Sequence, residues 1–206
     1  MPKQPINIPD KPTRPVVLPV DYIPENLRGE LQTLLIGEWQ LAHRVRQLAQ
    51  TIEQDFADKD LVVVSLLSGT VMFLADLIRH LNIPLHLDFM GVSSYRSGTK
   101  SRELVYTKEL RLEVKDRDVL LVDDILDTGR TLKSVIGKLR QLKPRSIHTC
   151  VLLDKTARRV EDVQADYVGF EIDDMFVVGY GLDYAERYRN LPFVGVLKPE
   201  MYEGGE

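Results

Sequence analysis

The run Val119-Leu120-Leu121-Val122-Asp123-Asp124-Ile125-Leu126-Asp127-Thr128-Gly129-Arg130-Thr131-Leu132 constrains this chain more than any other stretch. Four apolar residues in succession, followed at once by acids and a Thr-Gly pair, spell a buried parallel strand that runs into a loop and then a helix. The spacing predicts a helix that begins near Arg130. The carboxyl end of such a strand is where open α/β sheets bind ligands, and the first turn of a helix presents backbone N–H groups without intrahelical partners. Anions are favoured there. Thr128, Gly129, Arg130 and Thr131 offer amides and hydroxyls to wrap a monophosphate, and Gly129, having no Cβ, lets the backbone come close. Asp123 and Asp124 lie one turn away and suit hydroxyls or Mg²⁺. The plainer alternative is an acidic turn at a strand end, with Asp127 as helix N-cap.

At 206 residues the chain is long enough for one well-filled domain and too short for two with independent cores. One domain with a small appended lobe is expected. The net charge of −4, from 27 basic and 31 acidic residues, gives no basic face for nucleic acid and no attraction to a membrane. Cys150, the only cysteine, sits in an apolar run, so no intrachain disulfide is possible and a buried thiol in a reducing compartment is expected. No apolar run approaches the length of a membrane span, and Met1-Pro2-Lys3-Gln4-Pro5 lacks the apolar core of a secretion signal. These features together predict a cytoplasmic protein.

Prolines at positions 2, 5, 9, 12, 15, 19 and 24 make the start of the chain an extended arm, either disordered or packed through Val16 to Val20 on the body or on a neighbouring subunit. From Glu30 to Phe56 apolar residues recur at helical spacing, which predicts a packing helix with a break at Gly37. In that helix Trp39 reads as a lobe or interface anchor and His43 as a surface residue. Leu61 to Leu67 is a second buried strand, turned by Ser68-Gly69-Thr70 into a helix from Val71 to Leu81. Leu85 to Val92 continues as strand, and Ser93 to Arg102, with no apolar period, as a polar loop. After a helix from Thr131 to Leu142, a strand from Ser146 to Leu153 ends in Asp154-Lys155-Thr156, which puts Lys155 on the same rim as the first two loops.

The run around Asp123 to Thr131 resembles the phosphoribosyl pyrophosphate (PRPP) loop of the type I phosphoribosyltransferases. Leu67-Ser68-Gly69 falls where that family holds pyrophosphate on backbone amides, with Ser68 replacing the commoner basic residue. The segment Phe176-Val177-Val178-Gly179-Tyr180-Gly181-Leu182-Asp183 is similar to the hypoxanthine-guanine branch. The resemblance implies an α/β fold with a mainly parallel twisted sheet flanked by helices. It divides the chain into an arm, residues 1–30, and a phosphoribosyltransferase domain, 31–206, whose small hood lobe is built from N- and C-terminal segments. It further implies that Phe176 stacks on the purine, the Val177 backbone reads the base edge, and Lys155 donates to the 6-oxo oxygen. Asp183 would hold Mg²⁺ on pyrophosphate, with Asp123 and Asp124 facing the ribose hydroxyls and the metal. Arg189 would contact pyrophosphate with Ser68 and Gly69, and Ser94-Tyr95 would ride on a lid that excludes water from a cationic sugar transition state. Asp127 is the implied acid or base at purine N7.

The activity so implied is transfer of phosphoribose from PRPP to hypoxanthine or guanine, in a homo-oligomer, dimer or tetramer. A xanthine- or guanine-preferring enzyme, a non-catalytic PRPP-fold sensor, and a plain nucleotide-binding domain remain as alternatives.

Overall fold

In the computed structural model, residues 13–95 and 103–203 are described. The buried runs read from the sequence form a six-stranded sheet in the order β4-β3-β2-β5-β6-β7. Its strands are β2 (Leu61–Leu67), β3 (Leu85–Tyr95), β4 (Glu103–Lys108), β5 (Asp118–Leu126), β6 (Ser146–Asp154) and β7 (Tyr167–Glu171). All neighbours are parallel except β3 and β4. Central strands β2 and β5 are covered on both faces, so their near-continuous Val and Leu runs are what such a position requires. On one face pack α1 (Glu38–Asp55) and α2 (Val71–Arg79), and on the other α3 (Arg130–Gln141).

The strand order reverses direction between β2 and β5, because β2 connects outward to β3 while β5 connects outward to β6. A crevice opens at the carboxyl ends of strands at such a switch point. The turn 68–70 and the loop 127–129 flank that crevice, which is how two segments nearly sixty residues apart in the chain share one site.

The helix expected from Glu30 to Phe56 is corrected by the structure. Leu31–Ile36 is a strand, β1, and the helix α1 starts only after Gly37, its extended N-cap. β1 pairs antiparallel with β9 (Val194–Leu197), which pairs with β8 (Val177–Val178), making a second, three-stranded sheet. Leu31, Leu34, Leu35 and Ile36 are all buried, and a strand covered on both faces carries no alternation to tell it from a helix. In α1 the buried residues Leu41, Val45, Leu48, Ala49 and Ile52 follow helical spacing as expected. Trp39 stands outside that stripe, 76% exposed and stacked on His43.

The polar loop expected from Ser93 is also shorter than its composition suggests. β3 continues through Ser94 and Tyr95, whose backbones pair with Leu104 and Glu103 of β4. Residues 96–102 of that loop lie outside the described residues. The described part of the arm packs on the body: Leu18 N donates to Leu34 O at 2.9 Å, Thr33 Oγ1 to Leu18 O at 3.1 Å, and Ile23 is buried. Among the described residues no helix is long and apolar enough to cross a membrane.

Candidate active site

β5 delivers Asp123 and Asp124 at its carboxyl end and then hands the chain to α3 through Asp127-Thr128-Gly129. The N-cap of α3 is Gly129, at φ +83°, rather than Asp127. A side chain there is excluded twice, by that left-handed backbone and by Val163 Cγ1, 2.6 Å from where a Cβ would lie. With Asp127 free of capping, its Oδ1 is buried and has no hydrogen-bond partner among the described residues, while Oδ2 lies 3.6 Å from Arg158 Nη1. A buried carboxylate oxygen without a partner is costly unless something else satisfies it.

Asp123 and Asp124 are adjacent, the first buried and the second half-buried. Burial, then the neighbouring Asp124 charge, pushes the Asp123 carboxyl well above the usual range, and burial raises Asp124. Asp124 reaches across the crevice to the β2 turn: a Cβ on Gly69 would lie 1.8 Å from Asp124 Oδ2, so only glycine admits the carboxylate there. The Leu67–Ser68 peptide in that turn is cis.

The last loop of the site runs from β8 towards β9. Arg189 Nη1 donates to Gly181 O at 2.9 Å, and Nη2 lies 2.9 Å from Asp183 Oδ1 and 3.0 Å from Glu186 Oε2. The guanidinium thus holds the turn that presents Asp183. Phe176, just before β8, stacks on Tyr202 with centroids 4.7 Å apart and meets Tyr184 edge-on at 5.5 Å. Leu197 N donates to Phe176 O, and alternation along the strand then turns the N–H and C=O of Val177 away from β9. Since β8 is the edge of its sheet, those two groups face outward with no strand beyond them.

Lys155, at the end of β6, is 6% exposed, and burial holds its ammonium below the usual lysine range although Asp127 and Asp174 lie nearby. Its Nζ is 4.0 Å from Asp174 Oδ1, and Arg158 Nη1 stands 3.8 Å from the same oxygen.

These groups border three adjoining cavities. One of about 500 Å³ is lined by Gly69, Asp123, Asp127, Thr128, Gly129 and Thr131 among others; a second, of about 280 Å³, by Asp127, Lys155, Phe176, Val177 and Asp183; a third, of about 600 Å³, by Ser68, Gly69, Asp183 and Arg189. Asp124 borders all three. Arg130 begins α3 on the exposed side of the loop. Of Ser94 and Tyr95 only the backbone is described, on β3.

Sequence reasoning overlooked Arg158, Arg159 and Tyr202. The first two stand three and four residues after Lys155, in the turn that leaves the same strand end. Tyr202 was not signalled, because it reaches Phe176 only through the folding back of the C-terminal tail.

Comparison with known proteins gives the family. The chain matches the phosphoribosyl transferase domain over residues 37–185. It is 44% identical over 178 residues to the hypoxanthine-guanine phosphoribosyltransferase of Bacillus subtilis, a match that covers 86% of this chain and 99% of that one. It is also 44% identical over 179 residues to a bifunctional TilS/HprT protein of Listeria monocytogenes, of which it spans 28% of the length. A solved hypoxanthine phosphoribosyltransferase from Staphylococcus aureus superposes with a TM-score of 0.83 at 44% identity, over 87% of this chain and 98% of that one. With two thirds of its length inside the domain match and a relative of near-equal length at this identity, the chain belongs to the hypoxanthine-guanine branch of the phosphoribosyltransferase family.

Proposed function

We propose that the protein transfers the 5-phosphoribosyl group from PRPP to an oxo-purine, hypoxanthine or guanine, releasing the nucleoside monophosphate and pyrophosphate. One observation carries this reading: a single carboxylate, Asp124, borders three cavities of different character. A ribose beside Asp124 reaches the glycine-bearing loop with its 5′-phosphate, the aromatic and lysine-lined cavity with C1′ and the base, and the Ser68-Gly69 and Arg189 cavity with its pyrophosphate.

In this reading Thr128, Gly129, Arg130 and Thr131 hold the 5′-phosphate through amides and hydroxyls at the N-terminus of α3. Phe176 offers its ring to the base, and the outward N–H and C=O of Val177 meet the base edge. Lys155, buried and short of partners, donates to the 6-oxo oxygen. Asp127 takes or gives the N7 proton with the oxygen that has no other partner. Arg189 and the Gly69 amide receive the growing negative charge on pyrophosphate. Ser94 and Tyr95 keep a lid role on the family resemblance alone.

The residues fit Mg²⁺. Asp123, Asp124 and Asp183 are hard oxygen donors around shared cavities, and burial raises the pKa of the first two, for Asp124 against the opposing charge of Arg189. An ion held by these carboxylates would take its remaining ligands from phosphate oxygens. When bound, such an ion neutralises pyrophosphate as it leaves.

Product formation from PRPP and Mg²⁺ with hypoxanthine, guanine, xanthine, adenine and uracil in turn tests the proposal. Turnover with hypoxanthine or guanine and none with adenine or uracil is expected. Turnover confined to xanthine would move the substrate assignment, and no turnover with any base would leave a PRPP-binding protein without catalysis.

A further inference from the structure

A neighbouring segment, Arg159 to Val163, clasps the loop between β5 and α3 from behind. The carbonyl of Leu126 accepts from Lys155 N at 2.9 Å and from Arg159 Nη2 at 3.3 Å. The next carbonyl, of Asp127, accepts from Arg159 Nε at 3.0 Å. That of Thr128 accepts from Val160 N at 3.0 Å and Glu161 N at 3.1 Å. Three successive carbonyls are therefore turned to one side. In a planar trans peptide the N–H points opposite the preceding carbonyl, so the N–H groups of Asp127, Thr128 and Gly129 are turned to the other side. That side is the cavity these residues line.

We infer that Arg159 is the positioning residue of the phosphate site: its guanidinium fixes the Leu126 and Asp127 carbonyls, the backbone that follows it fixes that of Thr128, and the loop amides are so aimed at the ligand. It does not touch the ligand in this assignment. The side chain is only 18% exposed, it pairs with the carboxylate of Asp154, and its remaining nitrogen donates to Val163 O at 2.6 Å. With its charge matched by Asp154, it works through the fixed fork of its donors rather than as a free cation, which lysine cannot imitate. The contact is tight, since Arg159 Cδ, Glu161 Cβ and Val163 Cγ1 all lie within 3.3 Å of the Cβ that Gly129 lacks. A loop so backed is preorganised, and an anion meets aligned amides without having to order them.

This inference rests on the proposed phosphoribosyl transfer, and a comparison of two ligands separates the two. Calorimetric titration of the full chain with GMP and with guanosine, in the wild type and in Arg159→Gln, isolates the contribution of the 5′-phosphate. Wild type is expected to bind GMP more tightly than guanosine. Arg159→Gln is expected to lose about 10- to 100-fold in GMP affinity, the range for lost hydrogen bonds from a charged donor, with guanosine affinity unchanged. A parallel loss for both ligands, or an undiminished preference for GMP, would overturn the assignment while leaving the transferase reading intact. A wild type that binds GMP no better than guanosine would instead remove the transferase reading and the clasp with it. Should the glutamine variant not fold, Arg159→Lys keeps the charge beside Asp154 and loses the fork; an unchanged GMP preference there would equally overturn the assignment.

Discussion

Asp88 on β3 and the Asp123–Asp124 pair on β5 are buried carboxylates of one sheet, treated in opposite ways. Burial works to raise the Asp88 pKa, yet backbone N–H groups of Leu112, Arg111 and Phe89 and the Lys108 ammonium hold it well below the carboxylate range. Its Oδ1 accepts from Phe89 N at 2.7 Å and Lys108 Nζ at 3.0 Å, and its Oδ2 from Arg111 N at 2.6 Å and Leu112 N at 2.9 Å. Both oxygens are satisfied within the chain. On β5, burial and, for Asp123, its neighbour's charge win, and both carboxyls are raised. The difference teaches that this chain completes the carboxylates that hold its fold and leaves incomplete those that face the crevice. Among the described residues Asp127 Oδ1 has no partner and the buried Lys155 cation has no carboxylate oxygen nearer than 4.0 Å, so both belong with the incomplete set.

The largest effect expected from that division is at Asp127. Asp127→Asn should lower kcat by roughly 10²–10⁴, as for loss of a positioned proton-transfer group, while leaving the melting temperature near that of the wild type. Steady-state kinetics and a thermal melt on the same preparation check both halves. An unchanged kcat would return Asp127 to a structural role and erase the line between the two sets.

Lys155→Ala follows. A buried donor lost opposite a carbonyl should weaken hypoxanthine and guanine by about 10- to 100-fold in kcat/KM, with much less effect on purine itself, which has no 6-oxo group. Equal losses for all three bases would mark Lys155 as a packing residue.

How far the sequence shows these divisions follows from how local each signal is. Strand β5, its loop and the start of α3 were legible because apolar run, acids and glycine are contiguous, and each dictates its own local structure. Lys155 was legible as a residue at a strand end. Strand β1 was not, because Leu31, Leu34 and Leu35 satisfy a helical period as well as a strand buried on both faces, and β9, which decides between them, lies far along the chain. The extension of β3 through Tyr95 was hidden by polar residues that pairing with β4 overrides. The Arg159 clasp and the Tyr202 stack on Phe176 depend on contacts that no spacing encodes. Nor did composition separate Asp88 from Asp123: a carboxylate's role here is set by which N–H groups surround it.

Asp88→Asn tests the scaffold side. An asparagine oxygen can replace one acceptor, but its NH₂ meets donors on the other side, so a cost of about 1–3 kcal/mol in unfolding free energy at pH 7 is expected, without a selective change in PRPP affinity. The pH dependence has a definite sign. A depressed folded pKa contributes stability that is fully present above the unfolded value of about 4 and is lost as pH falls from there through the lower folded value. The gap between wild type and variant should therefore hold from pH 7 down to about pH 4 and narrow below it, as denaturant melts across pH 7 to pH 3 would show.

The smallest effect expected is also the sharpest test of the comparison, because its sign is reversed. Asp123 is raised, so its folded form favours the protonated carboxyl, and the free protein loses stability as pH rises through that raised value. Asparagine is neutral at every pH and its Oδ1 still accepts from Asp124 N, a bond of 3.0 Å in the wild type. Asp123→Asn should therefore stabilise the ligand-free protein at pH 7, by about 1 kcal/mol on the scale of one relieved buried charge interaction, and the gain should vanish at low pH where wild-type Asp123 is itself protonated. The same variant should bind PRPP and Mg²⁺ less well, since the charge that burdens the crevice is the one the proposed ligands answer. Melts with and without PRPP and Mg²⁺ would show the two curves cross. A variant less stable than wild type at pH 7 would mean that the chain does complete Asp123, and the contrast with Asp88 would fail.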